Sequence, residues 1–167
     1  MTGRERIFDG ATLLARWALG AFFIWMGLHK ALDPVSFLKL VRQYDLVQTP
    51  PLLNLIAAGL PWFEIFCGAL LLIGVAPRGA ALLILAMLVP FTLAIFRRAL
   101  LLHEAGGLPF CLIKFDCGCG SGEVFVCRKL TENLLWIALS AWLAYCPRQR
   151  LTWWPRPALP TTLAGGS

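Results

Sequence analysis

The chain is expected to be an all-α membrane protein, a four-transmembrane-helix bundle with a short interfacial helix between spans one and two. Three observations lead there. Of 167 residues, 59% are hydrophobic and 14% charged, where a soluble domain averages about 45–50% apolar and about 25% charged. So few charges cannot clothe a water-facing surface, and disorder needs the opposite composition. The apolar residues gather in four runs of roughly the 20 residues that a helix needs to cross a bilayer. The formal net charge of +6 comes from basic residues scattered singly or in pairs between those runs. That suits the edges of membrane spans and not the clustered basic stripe that binds nucleic acid. The expected partner is the lipid bilayer, with no nucleic acid.

The first run, Ala11 to Leu28, is broken only by Arg16. Trp17 and Trp25 near its ends fit interfacial aromatic belts, and His29 and Lys30 read as anchors at the membrane edge. The run is longer than a signal-peptide core and no small-residue cleavage site follows it, so it is read as a retained span. Asp33 then caps a helix whose first turn accepts Pro34. Val35, Leu38, Val41 and Tyr44 recur at helical spacing with Lys39, Arg42 and Gln43 off that stripe, the pattern of a helix lying in the membrane interface. Thr49-Pro50-Pro51 ends this connection.

The second run, Leu52 to Gly74, carries Glu64. Val75-Ala76-Pro77-Arg78 is short enough to make spans two and three antiparallel neighbours. The third run, Gly79 to Leu102, stays uncharged until Arg97 and Arg98. The fourth, Arg128 to Tyr145, keeps its charges near its start and ends in Trp142 and Tyr145. Residues 1–147 thus form one membrane domain, and the basic, Pro-rich stretch 148–167 is expected to be a disordered tail. Four spans place both termini on one side and connections one and three on the other. The basic residues divide almost evenly between the two sides, so the positive-inside rule selects no orientation.

The third connection holds the unusual chemistry. Cys111, Cys117, Cys119 and Cys127 are spaced C-x5-C-x-C-x7-C, and thiols gathered at a water-facing edge are open to oxidation and to metals. In a redox reading, Cys117 and Cys119 are the working dithiol, with Gly118 and Gly120 relieving the crowding of so tight a bend. A ring closed across one residue is strained and easily reduced, and Cys111 and Cys127 lock the loop or relay oxidising equivalents. In the alternative, all four thiolates hold one structural Zn²⁺, although the spacing matches neither paired C-x2-C knuckles nor ferredoxins. Cys67 and Cys146, in or at the end of spans, read as small apolar packing residues.

Glu64 lies about 18 Å along its helix from Leu52, and an ionisable group that deep is a functional candidate. Pro61 frees backbone groups beside it, and Cys67 shares its face. It reads as a proton acceptor beside a quinone or dithiol, or as a carboxyl kept neutral, or paired with an arginine, for packing specificity. Arg128 and Lys129 open the last span as membrane-edge anchors or as cations that favour a nearby thiolate. No phosphate-binding glycine loop, H-E-x-x-H or serine triad is present.

The four-span plan, Leu60-Pro61-Trp62-Phe63-Glu64 opening span two with Gly68 and Gly74 following, and Asp116-Cys117-Gly118-Cys119 before a span led by Arg128 resemble the DoxX/MauE superfamily of small bacterial membrane proteins. The resemblance covers about residues 10 to 147. It implies a multi-pass protein of the bacterial inner membrane with the cysteine loop on the periplasmic side. It also implies a redox-associated role: maturation of a disulfide-rich dehydrogenase subunit in MauE-type members, and thiosulfate:quinone oxidoreduction or redox stress in DoxX-type members. The favoured expectation is exchange of electrons or disulfides through the loop dithiol with a quinone, a redox partner protein or a larger membrane complex. A structural or assembly subunit of such a complex and a small proton-coupled transporter using Glu64 are the alternatives.

Overall fold

Helix formation follows the apolar runs. The computed structural model describes residues 3–44, 49–107, 109–116 and 123–145. Within them α1 spans Gly3–Leu32, α2 Pro34–Gln43, α3 Pro50–Ile73 and α4 Pro77–Gly106, and a 3-10 turn covers Phe110–Leu112. Two short strands, β1 (Lys114–Asp116) and β2 (Glu123–Phe125), precede α5 (Val126–Tyr145). The expected tail, 148–167, lies outside the described residues.

Three helices are long and apolar enough to cross a membrane: α1 from Ile7 to Leu32, α3 and α4. The chain is therefore a multi-pass membrane protein. The fourth expected span coincides with α5 but does not meet the same standard. Its 20 residues carry Arg128, Lys129 and Glu132 in the first two turns, leaving an uncharged run from Asn133 of about 20 Å.

Local signals set the ends of these elements. Asp33 Oδ1 accepts from the Ser36 N–H at 3.1 Å and Pro34 occupies the first turn of α2, two devices that suit a helix start. The Ser36 hydrogen bonds hold the Asp33 carboxyl below the usual carboxylate range. Between α3 and α4, Gly74 adopts φ 86° and its N–H returns to the Leu70 carbonyl, a left-handed helix ending that glycine accepts without a Cβ penalty. The inward face of α2 differs from the expected stripe. Val35 is 60% exposed and Phe37 4%; Phe37, Leu40, Val41 and Tyr44 turn towards the bundle. These four also fall at helical spacing, and the larger aromatic ring takes the interior.

The long helices close a ring in the order α1, α3, α4, α5, with α1 packing most extensively on α3 and α4 on α5. The main core lies near the α3–α4 turn, where Leu19, Leu71, Ile84 and Leu143 are fully buried among small neighbours such as Ala80 and Ala81. Close approach of α1 and α3 rests on glycine. A Cβ on Gly20 would come within 2.8 Å of the Gly68 carbonyl oxygen, and one on Gly27 within 2.6 Å of the Pro61 oxygen. Helices in lipid associate through such small-residue contacts because tails and side chains are equally apolar.

Candidate functional site

The antiparallel seam of α1 and α3 brings together two residues far apart in sequence. With Gly27 beside Pro61 and Gly20 beside Gly68, Lys30 sits about six residues, or about 9 Å, above the level of Glu64. Side chains on a helix lean towards its N-terminus. In antiparallel helices Lys30 therefore leans down and Glu64 leans up, and the two meet. Lys30 Nζ donates to Glu64 Oε1, with the residues only 5% and 7% exposed. The ammonium also lies 5.3 Å from the centroid of the Phe37 ring and 5.7 Å from that of Phe91, within cation–π range. The second carboxylate oxygen, Glu64 Oε2, is buried and has no hydrogen-bond partner among the described residues.

The pair opens onto a cavity of about 420 Å³ lined by residues of all five α-helices. Phe22, Phe23, Met26, Leu60, Met87 and Phe91 supply apolar wall, α2 and its C-cap add Phe37, Leu40, Val41 and Tyr44, and α5 adds Lys129 and Asn133. Lys129 is buried, and its ammonium donates to Glu132 Oε2 at 3.2 Å. Asn133 Nδ2 donates to Thr92 Oγ1 at 3.1 Å, linking α5 to α4. The volume and the few convergent polar groups match small-molecule sites in general.

Above one wall lies the cysteine connection. β1 and β2 pair antiparallel with Phe115 opposite Val124, and both side chains pack against Met26 and Ile95 together with Phe22, Tyr44 and Phe91. Most of these same residues line the cavity. The base of the hairpin is closed by a Cys111–Cys127 disulfide with Cα atoms 5.0 Å apart. It joins the 3-10 turn to the first turn of α5, two residues before Lys129. Sulfurs bonded to each other are not thiolates, so in this state they are not the zinc ligands of the four-thiolate alternative.

The sequence candidates are thus distributed unevenly. Glu64 and Lys129 share the cavity, whereas Arg128 is exposed on the outer side of α5. Cys67 is fully buried in the main core as a free thiol. Cys117, Gly118, Cys119 and Gly120, between β1 and β2, lie outside the described residues, as does Cys146. The residue that sequence reasoning misplaced is Lys30. Read as an interfacial anchor, it is instead buried as the partner of Glu64. A signal for it existed: Leu19, Phe23, Met26 and Lys30 recur at three- to four-residue spacing, on the face that α1 buries.

Fold and site together define a multi-pass helical membrane protein that encloses a buried ion pair beside a disulfide-closed hairpin. The chain belongs to the MauE family, described as methylamine utilisation protein MauE, which matches residues 9–146. No curated protein and no solved structure matches it.

Proposed function

We propose that this MauE-family protein exchanges electrons or disulfides through the Cys117-Gly118-Cys119 dithiol with a redox partner at the membrane surface. The observation that carries the reading is the seating of the hairpin. Residues flanking the dithiol segment are clamped by Cys111–Cys127 and rest through Phe115 and Val124 on the wall of the ion-pair cavity. A dithiol segment tied down at both flanks presents its sulfurs to an incoming partner at reduced entropic cost. In the oxidising direction, a partner thiolate attacks the Cys117–Cys119 disulfide and forms a mixed disulfide. A second partner thiolate then displaces it, leaving the partner oxidised and the Cys117–Cys119 pair reduced by two electrons. Glu64 and Lys129 sit below the hairpin as proton-exchanging and charge-balancing groups.

The reading takes α5 as a fourth span. Its packing along α4 and α1 supports that placement, because its charged first turns then lie at the same end as α2 and the hairpin. The hairpin faces the periplasm of a bacterial inner membrane, and α2 lies in the interface.

Alkylation trapping of membranes under oxidising and reducing conditions tests the exchange. Cys117 and Cys119 are expected to change state reversibly, with Cys119→Ser eliminating oxidation of an added dithiol peptide. Two thiols that stay in one state under both conditions, or full exchange in Cys119→Ser, would sink the reading.

A further inference from the structure

We infer that the cavity between α1, α2, α3, α4 and α5 binds an aliphatic lipid alcohol, its hydroxyl seated on the Lys30–Glu64 pair and its chain against the apolar walls. The inference goes beyond the thiol-exchange reading and does not rest on it. It starts from an orphaned atom. Glu64 lines the cavity of about 420 Å³, and its Oε2 is buried with no hydrogen-bond partner among the described residues. An unpaired acceptor in an apolar enclosure is costly. The terminal torsion of a glutamate is broad, so a turn of the carboxylate presents Oε2 to a donor in that space.

Charge selects the class of ligand. Lys30 Nζ donates to Glu64 Oε1, so the pair is neutral as a unit, and an ammonium carries three N–H donors. The group that fits beside it both donates and accepts while bringing no charge. A hydroxyl does this with one oxygen, donating to Oε2 and accepting from Lys30. A carboxylate or phosphate offers no donor and sets a second anion beside Glu64. An alkylammonium donates but sets a second cation beside Lys30. Either one leaves an uncompensated charge in the interior, the arrangement that costs most. Water offers the same two bonds but leaves the apolar walls unfilled. Those walls, with Leu40, Val41, Ile56 and Leu60 among them, suit an aliphatic chain. Ala86 and Pro90 line the cavity and are also exposed on α4, a helix apolar enough to cross the membrane. The cavity therefore opens towards lipid, the phase in which a long-chain alcohol dissolves.

The test measures binding of radiolabelled 1-dodecanol to the full-length protein in phosphatidylcholine nanodiscs, with empty discs as the partition blank. Saturable binding is expected above the blank. It should weaken by roughly tenfold or more in the Lys30→Met/Glu64→Leu double variant, which removes the polar contacts without stranding a charge. Ala94→Phe, which fills the cavity and leaves the ion pair in place, should weaken it similarly. Dodecane, dodecanesulfonate and dodecylamine, matched in chain length, should each compete at least tenfold less well than unlabelled dodecanol, in line with roughly the worth of one or two buried hydrogen bonds. The Cys117→Ser/Cys119→Ser variant should bind normally, so a failure of thiol exchange cannot mimic a failure of binding. No binding above the blank, binding unchanged in both cavity variants, or competition by any of the three analogues equal to that of dodecanol would overturn the inference.

Discussion

Removing one partner of the Lys30–Glu64 pair leaves a single charge in an apolar enclosure, and a lone buried charge is far less tolerable than either a pair or none. Lys30→Met and Glu64→Leu are each expected to destabilise the protein by about 3–5 kcal/mol, read as the loss of unfolding free energy in detergent. The double variant should recover most of that loss. Additive losses in the double variant would mean that the two groups are not coupled. Glu64 was legible in the sequence because a carboxylate within an apolar run stands out from its neighbours. Its partner was not, since Lys30 is 34 positions away and stands where a span would end in an anchor. Only the seam of α1 against α3 distinguishes a lysine that reaches into the bundle from one that snorkels outward.

At the level of elements, the α1–α3 seam depends on two glycines meeting across it. A Cβ on Gly68 would lie 2.6 Å from the Gly20 carbonyl oxygen, and backbone cannot step aside as the tip of a flexible side chain can. Gly68→Val is therefore expected to cost about 1–3 kcal/mol or more by forcing the helices apart. Gly10→Ala, with nothing within 4 Å of the added carbon, should be close to neutral. Equal melting temperatures for the two variants would contradict this account of the seam. The hairpin permits a second contrast. The Cys111–Cys127 bond closes a loop over a separation of 16 residues, worth about 3 kcal/mol on the chain-entropy argument. Cys127→Ser should lower stability by that order, while Cys119→Ser should leave the melting temperature nearly unchanged and abolish exchange. Equal destabilisation by both, with zinc lost from both, would mean that the cysteines act as one metal cage.

Across the whole molecule, the antiparallel ring of helices puts α2, the hairpin and the start of α5 at one end and the α3–α4 turn at the other. The chemistry is therefore one-sided: cavity, ion pair and disulfide all sit towards the hairpin end. After reduction of intact spheroplasts, a membrane-impermeant thiol reagent is expected to label Cys119. A cysteine introduced at Arg78, in the α3–α4 turn, should be labelled only after lysis. The reverse pattern would turn the molecule over in the membrane and remove the hairpin from any periplasmic partner.

Composition and the apolar runs by themselves determined that the chain is helical and membrane-bound, where each long helix lies, and that Asp33 and Pro34 start α2. These are local properties, set by hydrophobicity over 20 residues and by the hydrogen-bonding needs of helix ends, so the residues in each segment suffice to specify them. The cysteine spacing likewise singled out the third connection as the candidate for chemistry, but spacing alone left disulfide and metal open. The tertiary structure decided what depends on contacts between segments: which cysteines approach each other, which lysine reaches Glu64, and which face of α2 turns inward. It also placed Phe115 and Val124 on the wall of a cavity whose lining comes from all five α-helices. A cavity has no sequence signature of its own, because it exists only where surfaces from separate helices fail to meet.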